Sequence, residues 1–184
     1  MKYNSLLFCL VLVLLVSCKE PQARRPVTQS TTNIYEEAIK ENKRLNELEN
    51  LEIKKWIAND SLNTYIVSPK GFWYTYNVNS KTNSNTPKVG DIVTISYEIS
   101  DLNNTIIYSK EALGIKNYKV DKEDFIPALQ DGIKLMKKGE TITFVIPSYS
   151  AYGISGDGNK ITNNQTLKSK VTLIDIKLNK NESK

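Results

Sequence analysis

Hydrophobic and polar positions follow three different rhythms along this chain, and each rhythm predicts a different element. The first is unbroken: Leu6 to Val16 is an apolar run of 11 residues behind Lys2. A run that short suits the apolar core of a signal peptide and is too short to cross a bilayer. Lys19 to Thr32 follows, polar and carrying Pro21 and Pro26. This composition predicts a flexible spacer, reaching at most about 45 Å when extended.

The second rhythm is helical. Ile34, Ala38, Ile39, Leu45, Leu48, Leu51 and Trp56 recur at roughly helical spacing among Lys and Glu, which predicts a long amphipathic helix over 33–60. Asn33 is read as its N-cap, with Glu36 and Glu37 in the first turn, where the helix dipole favours acids. Such a helix could pack on its own domain, pair with a second copy or a partner, or form a partly disordered stalk. Residues Ile126, Leu129, Ile133 and Met136 mark one face of a second, shorter helix, from about Phe125 to Met136. Gly139 is read as its C-cap.

The third rhythm has a period of two. Val93, Ile95, Tyr97 and Ile99 alternate with Thr94, Ser96 and Glu98, a strand with one buried face. Tyr65–Val67 and Phe72–Tyr74 flank Ser68-Pro69-Lys70-Gly71, which reads as a hairpin. Further strands are expected at 106–108, 118–120, 141–146 and 170–178. Five or six strands joined by polar turns around one helix predict an α+β domain over 63–179, an antiparallel sheet wrapped over a short helix.

Composition then removes whole classes of chemistry. There is no His among the 184 residues, and the two Cys are Cys9 and Cys18. Cys9 falls in the apolar run. A Ser-His-Asp or Cys-His nucleophile is therefore impossible, as is a His-based zinc site. No glycine loop of the phosphate-binding kind is present, and no cofactor or metal is expected. The net charge of +5 comes from 25 basic and 20 acidic side chains spread along the chain. It reads as solubility and not as a nucleic-acid surface.

Leu15-Val16-Ser17-Cys18 resembles the lipobox of bacterial lipoproteins. That resemblance implies cleavage after residue 17, lipidation of Cys18, a lipid-anchored tether over 18–32 and a stable hold on a membrane. Lys19 directly after Cys18, in place of Asp, points to the outer membrane, facing the periplasm.

A second resemblance covers roughly Tyr65 to Leu178. Val89-Gly90-Asp91 before the strand with Tyr97, Phe125-Ile126 through Gly132, Gly139-Glu140, Ile146-Pro147, Ala151-Tyr152-Gly153 and Thr166-Leu167 together resemble the FKBP-type peptidyl-prolyl cis-trans isomerase domain. Ile107-Tyr108-Ser109-Lys110, Leu135 to Glu140 and Gly156 to Ile161 are similar to one subgroup, the FKBP-type gliding-motility lipoproteins of gliding bacteria. The resemblance implies an apolar groove that turns over X-Pro bonds without cofactor or metal. Tyr97, Ile107 and Tyr118 would line its wall. Phe125 and Ile126 would form its mouth, with the Ile126 N–H taking the substrate carbonyl. Leu129 would be the floor and Tyr152 the rim.

Family members often carry Asp where Tyr108 stands, Trp where Leu129 stands, an aromatic where Ser169 stands and His where Asp157 stands. Tyr108, Asp157 and Ser169 are thus substrate-side positions that depart from the pattern. The departures imply loss of a polar anchor, a wider and wetter wall, poor binding of macrolide-type inhibitors and weak or narrow activity. Proline-containing exported proteins are the implied clients, with gliding motility as the setting. A non-catalytic FKBP-fold chaperone or structural subunit of an envelope machine is the alternative.

Overall fold

The computed structural model describes residues 31–80 and 84–179, leaving aside the side chains of 31–33. The signal-like run, Cys18 and the spacer up to residue 30 lie outside the described residues, while Thr31 and Thr32, expected to end the spacer, are helical. Two compact units divide the chain, Met1–Ala38 and Ile39–Lys184. Of the first, only the opening of a helix is described. The sheet and the groove belong to the second.

Helix α1 spans Thr31–Asn59. Thr31 and Thr32 already have helical backbone, so Asn33 lies inside the helix and does not cap it, contrary to the expectation. A cap needs non-helical geometry. The helix stops at Asp60, whose carboxylate accepts hydrogen bonds from the Leu62 N–H (3.1 Å), the Asn63 side-chain amide (3.0 Å) and the Tyr65 hydroxyl (2.9 Å).

Seven strands follow among the described residues: β1 (Ile66–Val67), β2 (Trp73–Val78), β3 (Ile92–Ser100), β4 (Ile106–Tyr108), β5 (Ile115–Lys119), β6 (Thr141–Ile146) and β7 (Leu167–Lys177). They form one sheet in the order β1-β2-β6-β7-β3-β4, with every pairing antiparallel. β5 pairs with the first half of β3, and β4 with its last two residues. The predicted hairpin is present, with Ile66 opposite Tyr74 and Val67 opposite Trp73. β7 starts at Leu167, three residues before the expected position. Leu167, Ser169, Val171 and Leu173 are buried, and that alternation carries the strand back to its first residue.

Between β4 and β5 lies a one-turn helix that the sequence pattern did not suggest, α2 (Lys110–Leu113). Ser109 caps it by accepting the Ala112 N–H at 3.3 Å. Helix α3 spans Pro127–Ile133 and is shorter than predicted. Its last turn tightens, the Leu135 N–H bonding the Gly132 carbonyl and the Met136 N–H the Ile133 carbonyl, each at 3.0 Å. Met136 is nevertheless fully buried. Gly139 is therefore not the helix cap. At φ +85° it opens β6, donating its N–H to the Leu173 carbonyl at 2.8 Å.

The alternation in β3 divides the sheet's two faces. Val93, Ile95 and Ile99 are buried, with Tyr97 packed beside them. They face α3, together with Phe72, Ile142, Phe144, Val171 and Leu173. Trp73 and Val145 point the opposite way from Tyr74 and Phe144, their neighbours in register. On that outer face they enclose Ile53 of α1, with Trp56, Ile57 and Tyr65 at the margin. The C-terminal part of α1 is thus packed on its own domain.

Two acidic residues in the glycine motifs support the turns. The Asp91 carboxylate accepts the N–H groups of Lys88 and Asn179, both at 2.8 Å. That of Glu140 accepts those of Lys137 (2.8 Å) and Ser80 (3.1 Å). Both residues are buried, and capturing backbone N–H groups is what makes a buried carboxylate tolerable.

Candidate functional site

The residues that enter the groove come from five places in the chain. Tyr97 comes from β3, Ile107 and Tyr108 from β4, Tyr118 from β5, and Phe125, Ile126 and Leu129 from the start of α3. Tyr152 comes from the loop after β6. All eight belong to one apolar cluster: Tyr118, Ile126 and Leu129 are buried, and the other five are half-buried against them. Tyr118, expected on the wall, is fully buried and lies beneath it with Leu129.

Phe125 is the hinge of the arrangement. Its ring meets Tyr97 edge-on, centroids 5.3 Å apart at 89°, and Tyr118 at 5.3 Å and 36°. Both contacts lie in the range where aromatic pairs attract. Tyr118 is held in turn, its hydroxyl accepting the Asp121 N–H at 3.0 Å. Pro127 follows and restricts Ile126 to an extended conformation, φ −57° and ψ 122°. The Ile126 carbonyl starts the helix by accepting the Leu129 and Gln130 N–H groups at 2.9 and 3.0 Å. Among the described residues, none of the hydrogen bonds takes up the Ile126 N–H.

Two phenols complete the opening. Burial raises the pKa of the Tyr97 hydroxyl. Burial also raises that of Tyr152, helped by the nearby Tyr97, Asp157 and Tyr108. Both hydroxyls therefore remain protonated donors well beyond neutral pH. The site thus offers three donors, Ile126 N–H and the Tyr97 and Tyr152 hydroxyls, above an apolar floor. That combination can receive a carbonyl oxygen beside a bulky apolar ring.

Tyr108 and Asp157 form a unit. The Tyr108 hydroxyl donates to Asp157 Oδ2 at 2.5 Å, while Oδ1 accepts the N–H groups of Asn159 (2.9 Å) and Ile161 (2.8 Å). Hydrogen bonds from Tyr108 and these backbone groups outweigh desolvation and lower the Asp157 pKa. The Asp157 bond, with burial second, raises that of Tyr108. Gly156, at φ +66°, brings the chain so close to the Ile161 carbonyl that a side chain would collide with it. In place of a carboxylate at position 108, a phenol stands there and is hydrogen-bonded to the carboxylate of residue 157.

Ser169 is 1% exposed, and its hydroxyl donates to the Glu98 carbonyl at 2.9 Å. Its hydroxyl is taken up by the backbone of β3 and presents no open donor. Two lysines that the sequence pattern does not mark lie over rings of the groove. Lys116 Nζ lies 5.3 Å from the Phe125 ring centre and Lys160 Nζ 5.2 Å from that of Tyr108. No local pattern announces such placement, since it depends on which strand ends meet. Two hollows, of about 540 and 420 Å³, lie elsewhere, along Thr75, Asn77, Glu98, Thr141, Thr143 and Lys170. The smaller reaches Tyr97, but neither includes Ile126, Leu129 or Tyr152.

Residues 83–174 match the family model for FKBP-type peptidyl-prolyl cis-trans isomerase. A probable FKBP-type peptidyl-prolyl cis-trans isomerase FkpA of Neisseria meningitidis is 35% identical over 101 residues, covering 55% of this chain and 37% of that protein. The outer membrane protein MIP of Legionella longbeachae is 31% identical over 120 residues, 65% of this chain and 50% of its own length. FK506-binding protein 1 of Dictyostelium discoideum is 34% identical over 94 residues, 50% of this chain and 88% of that protein. The chain thus spans half or less of the two bacterial relatives. Among solved structures, FkpA from Escherichia coli superposes with a TM-score of 0.60 at 23% identity, over 96% of this chain and 83% of that one. A peptidyl-prolyl isomerase from Pseudomonas syringae gives 0.58 at 19%, over 72% and 96%. Both likenesses concern the fold.

Proposed function

The chain belongs to the FKBP-type peptidyl-prolyl cis-trans isomerase family, and from that membership we propose that its groove binds X-Pro segments and catalyses rotation of the prolyl amide. The observation that carries this reading is the untaken Ile126 N–H, in one apolar cluster with Tyr152 and with buried Leu129 and Tyr118.

The chemistry needs no bond between heavy atoms to break. The barrier to amide rotation is about 18–20 kcal/mol because resonance keeps the bond planar and polar. Twisting the amide reduces that polarity. A proline ring seated on Leu129 and Tyr118 exchanges water for apolar surface, which favours the twisted state over the planar one. The Ile126 N–H holds the carbonyl of the substrate, and Tyr152 adds a second donor at the rim. Each 1.36 kcal/mol removed from the barrier gives tenfold in rate, so about 4 kcal/mol suffices for a thousandfold.

Cys18 in its lipobox-like setting supports anchoring to a membrane, with the domain in the periplasm, the outer membrane as the site and exported proteins as clients. That one relative is named an outer membrane protein agrees with the location. Gliding motility as the setting rests on the likeness of the 107–110, 135–140 and 156–161 segments alone. The exposed part of α1 would serve a homodimer or a docking partner. A second reading, client holding without turnover, is favoured by Tyr108 and Ser169, which stand where family members often carry Asp and an aromatic.

A protease-coupled peptide assay on the chain from residue 19 onward distinguishes the two. The expected result is measurable acceleration that falls about fivefold in kcat/KM with Tyr152→Phe, the worth of one hydrogen bond of about 1 kcal/mol. No acceleration by a chain with an intact circular dichroism spectrum would leave the holding function.

A further inference from the structure

Glu49 sits half-buried on α1, and its carboxylate is occupied by groups far along the chain. Oε1 accepts the Ser148 N–H at 2.7 Å and the Thr166 hydroxyl at 2.6 Å, and Oε2 accepts the Ser148 hydroxyl at 2.8 Å. The next helix residue joins in, Asn50 Oδ1 accepting the Tyr149 hydroxyl at 3.0 Å. No cation is paired with Glu49 among the described residues. A carboxylate here serves as a three-way acceptor, and hydrogen bonds to a charged acceptor are the strong ones.

What Glu49 grips is specific. Ser148–Ser150 is the 3₁₀ turn by which the chain leaves β6, and Ser148 is buried. The turn is internally braced, Ser150 N–H to the Pro147 carbonyl at 3.0 Å and Ala151 N–H to the Ser148 carbonyl at 2.9 Å. These bonds tie the turn together, and Tyr152 follows two residues after Ser150. Thr166, the third partner, is the last residue before β7. One carboxylate thus fastens both ends of the loop that carries Tyr152 and Asp157.

We propose that Glu49 is a positioning residue for the groove: through Glu49 and Asn50, helix α1 sets the place of the Tyr152 rim. The helix is then a working part of the site as well as its support. This rests on the reading of the groove as an isomerase site. A donor displaced by about 1 Å can lose a large share of its catalytic effect, so loosening the turn should act on turnover through Tyr152.

A double-mutant cycle tests this, using Glu49→Ala, Tyr152→Phe and both together in the chain from residue 19, with Glu47→Ala, exposed on the same helix, as control. Glu49→Ala is expected to lower kcat/KM about fivefold, matching Tyr152→Phe, and the pair to lose no more than either alone. Glu49→Gln keeps the length and one acceptor oxygen and recovers part of the loss. Amide exchange over 148–155 is expected to quicken in Glu49→Ala and to stay unchanged in Glu47→Ala. Losses that multiply in the double variant would mean that Glu49 acts independently of Tyr152 and would overturn the proposal. So would unchanged exchange over 148–155, a reading that needs no activity. Absence of turnover in the wild-type chain counts against the isomerase reading alone.

Discussion

At the scale of single residues, the Tyr108–Asp157 pair decides how the groove rim responds to pH. The Asp157 carboxyl has its pKa lowered on folding, because Tyr108 and backbone N–H groups favour its charged form. Its contribution to stability is present above the ordinary carboxylate range and is lost as pH falls through the folded value. Tyr108 is shifted the other way. Its contribution is present below the ordinary phenol value, about 10, and is lost as pH rises through the raised one. Asp60, Asp101 and Asp175 are also lowered, so acid weakens the whole domain and only a difference between chains isolates the pair. Urea denaturation of wild type and Asp157→Asn at pH 7, 4 and 3 supplies it. The gap between the chains is expected to shrink from about pH 4 downward; a constant gap would mean that Asp157 is not shifted. Leu129 calls for a different probe. It is fully buried, and Leu→Ala in such a site costs about 2–5 kcal/mol. Lost activity in Leu129→Ala would therefore report on folding as much as on the groove floor.

At the scale of elements, α3 is the part whose place the groove depends on, and it is short. Seven residues form too few turns to persist alone, so tertiary packing must hold them. Gly132 lets that packing happen: a Cβ built there would lie 2.5 Å from Cε1 and 2.9 Å from Cζ of Phe144. Phe144 is fully buried and meets Phe72 edge-on at 5.8 Å, so its ring cannot easily yield. Gly132→Ala is expected to cost about 1–3 kcal/mol by overpacking, although alanine is the better helix former. Thermal denaturation checks the sign, and a chain at least as stable as wild type would show that the helix can slide. The early end of α3 also shows what the hydrophobic rhythm can and cannot reveal. Ile126, Leu129, Ile133 and Met136 all face the core, as their spacing says. Met136 does so from a tightened 3₁₀ turn, which at that one position resembles a continuing helix. β3 was legible to within a residue at each end, because a strand buried on one face records its pairing as alternation. α2, a single capped turn, left no rhythm to find.

At the scale of the whole molecule, the second unit was legible because element order and turn chemistry agree. The Glu49 clamp was not, because its partners lie 99 and 117 residues away and a polar side chain carries no periodicity. The same holds for Asp157 reaching Tyr108 across 49 residues. α1 was ambiguous for a different reason: one amphipathic pattern serves equally for packing inward and for meeting a partner. Ile53 is fully buried against the sheet, whereas Leu45, Leu48 and Leu51 are 41%, 45% and 52% exposed. Leucines left open beside a docked segment favour a second helix as their cover, since burying each apolar side chain is worth about 1.5–3 kcal/mol. If that cover is a second copy, the chain from residue 19 should sediment as a dimer at tens of micromolar, and Leu45→Glu with Leu48→Glu should sediment as a monomer. Both substitutions lie outside the groove and the clamp, so turnover on a short peptide should be unchanged while assembly is lost. A wild-type monomer across that range would remove the homodimer and leave these leucines to a different protein.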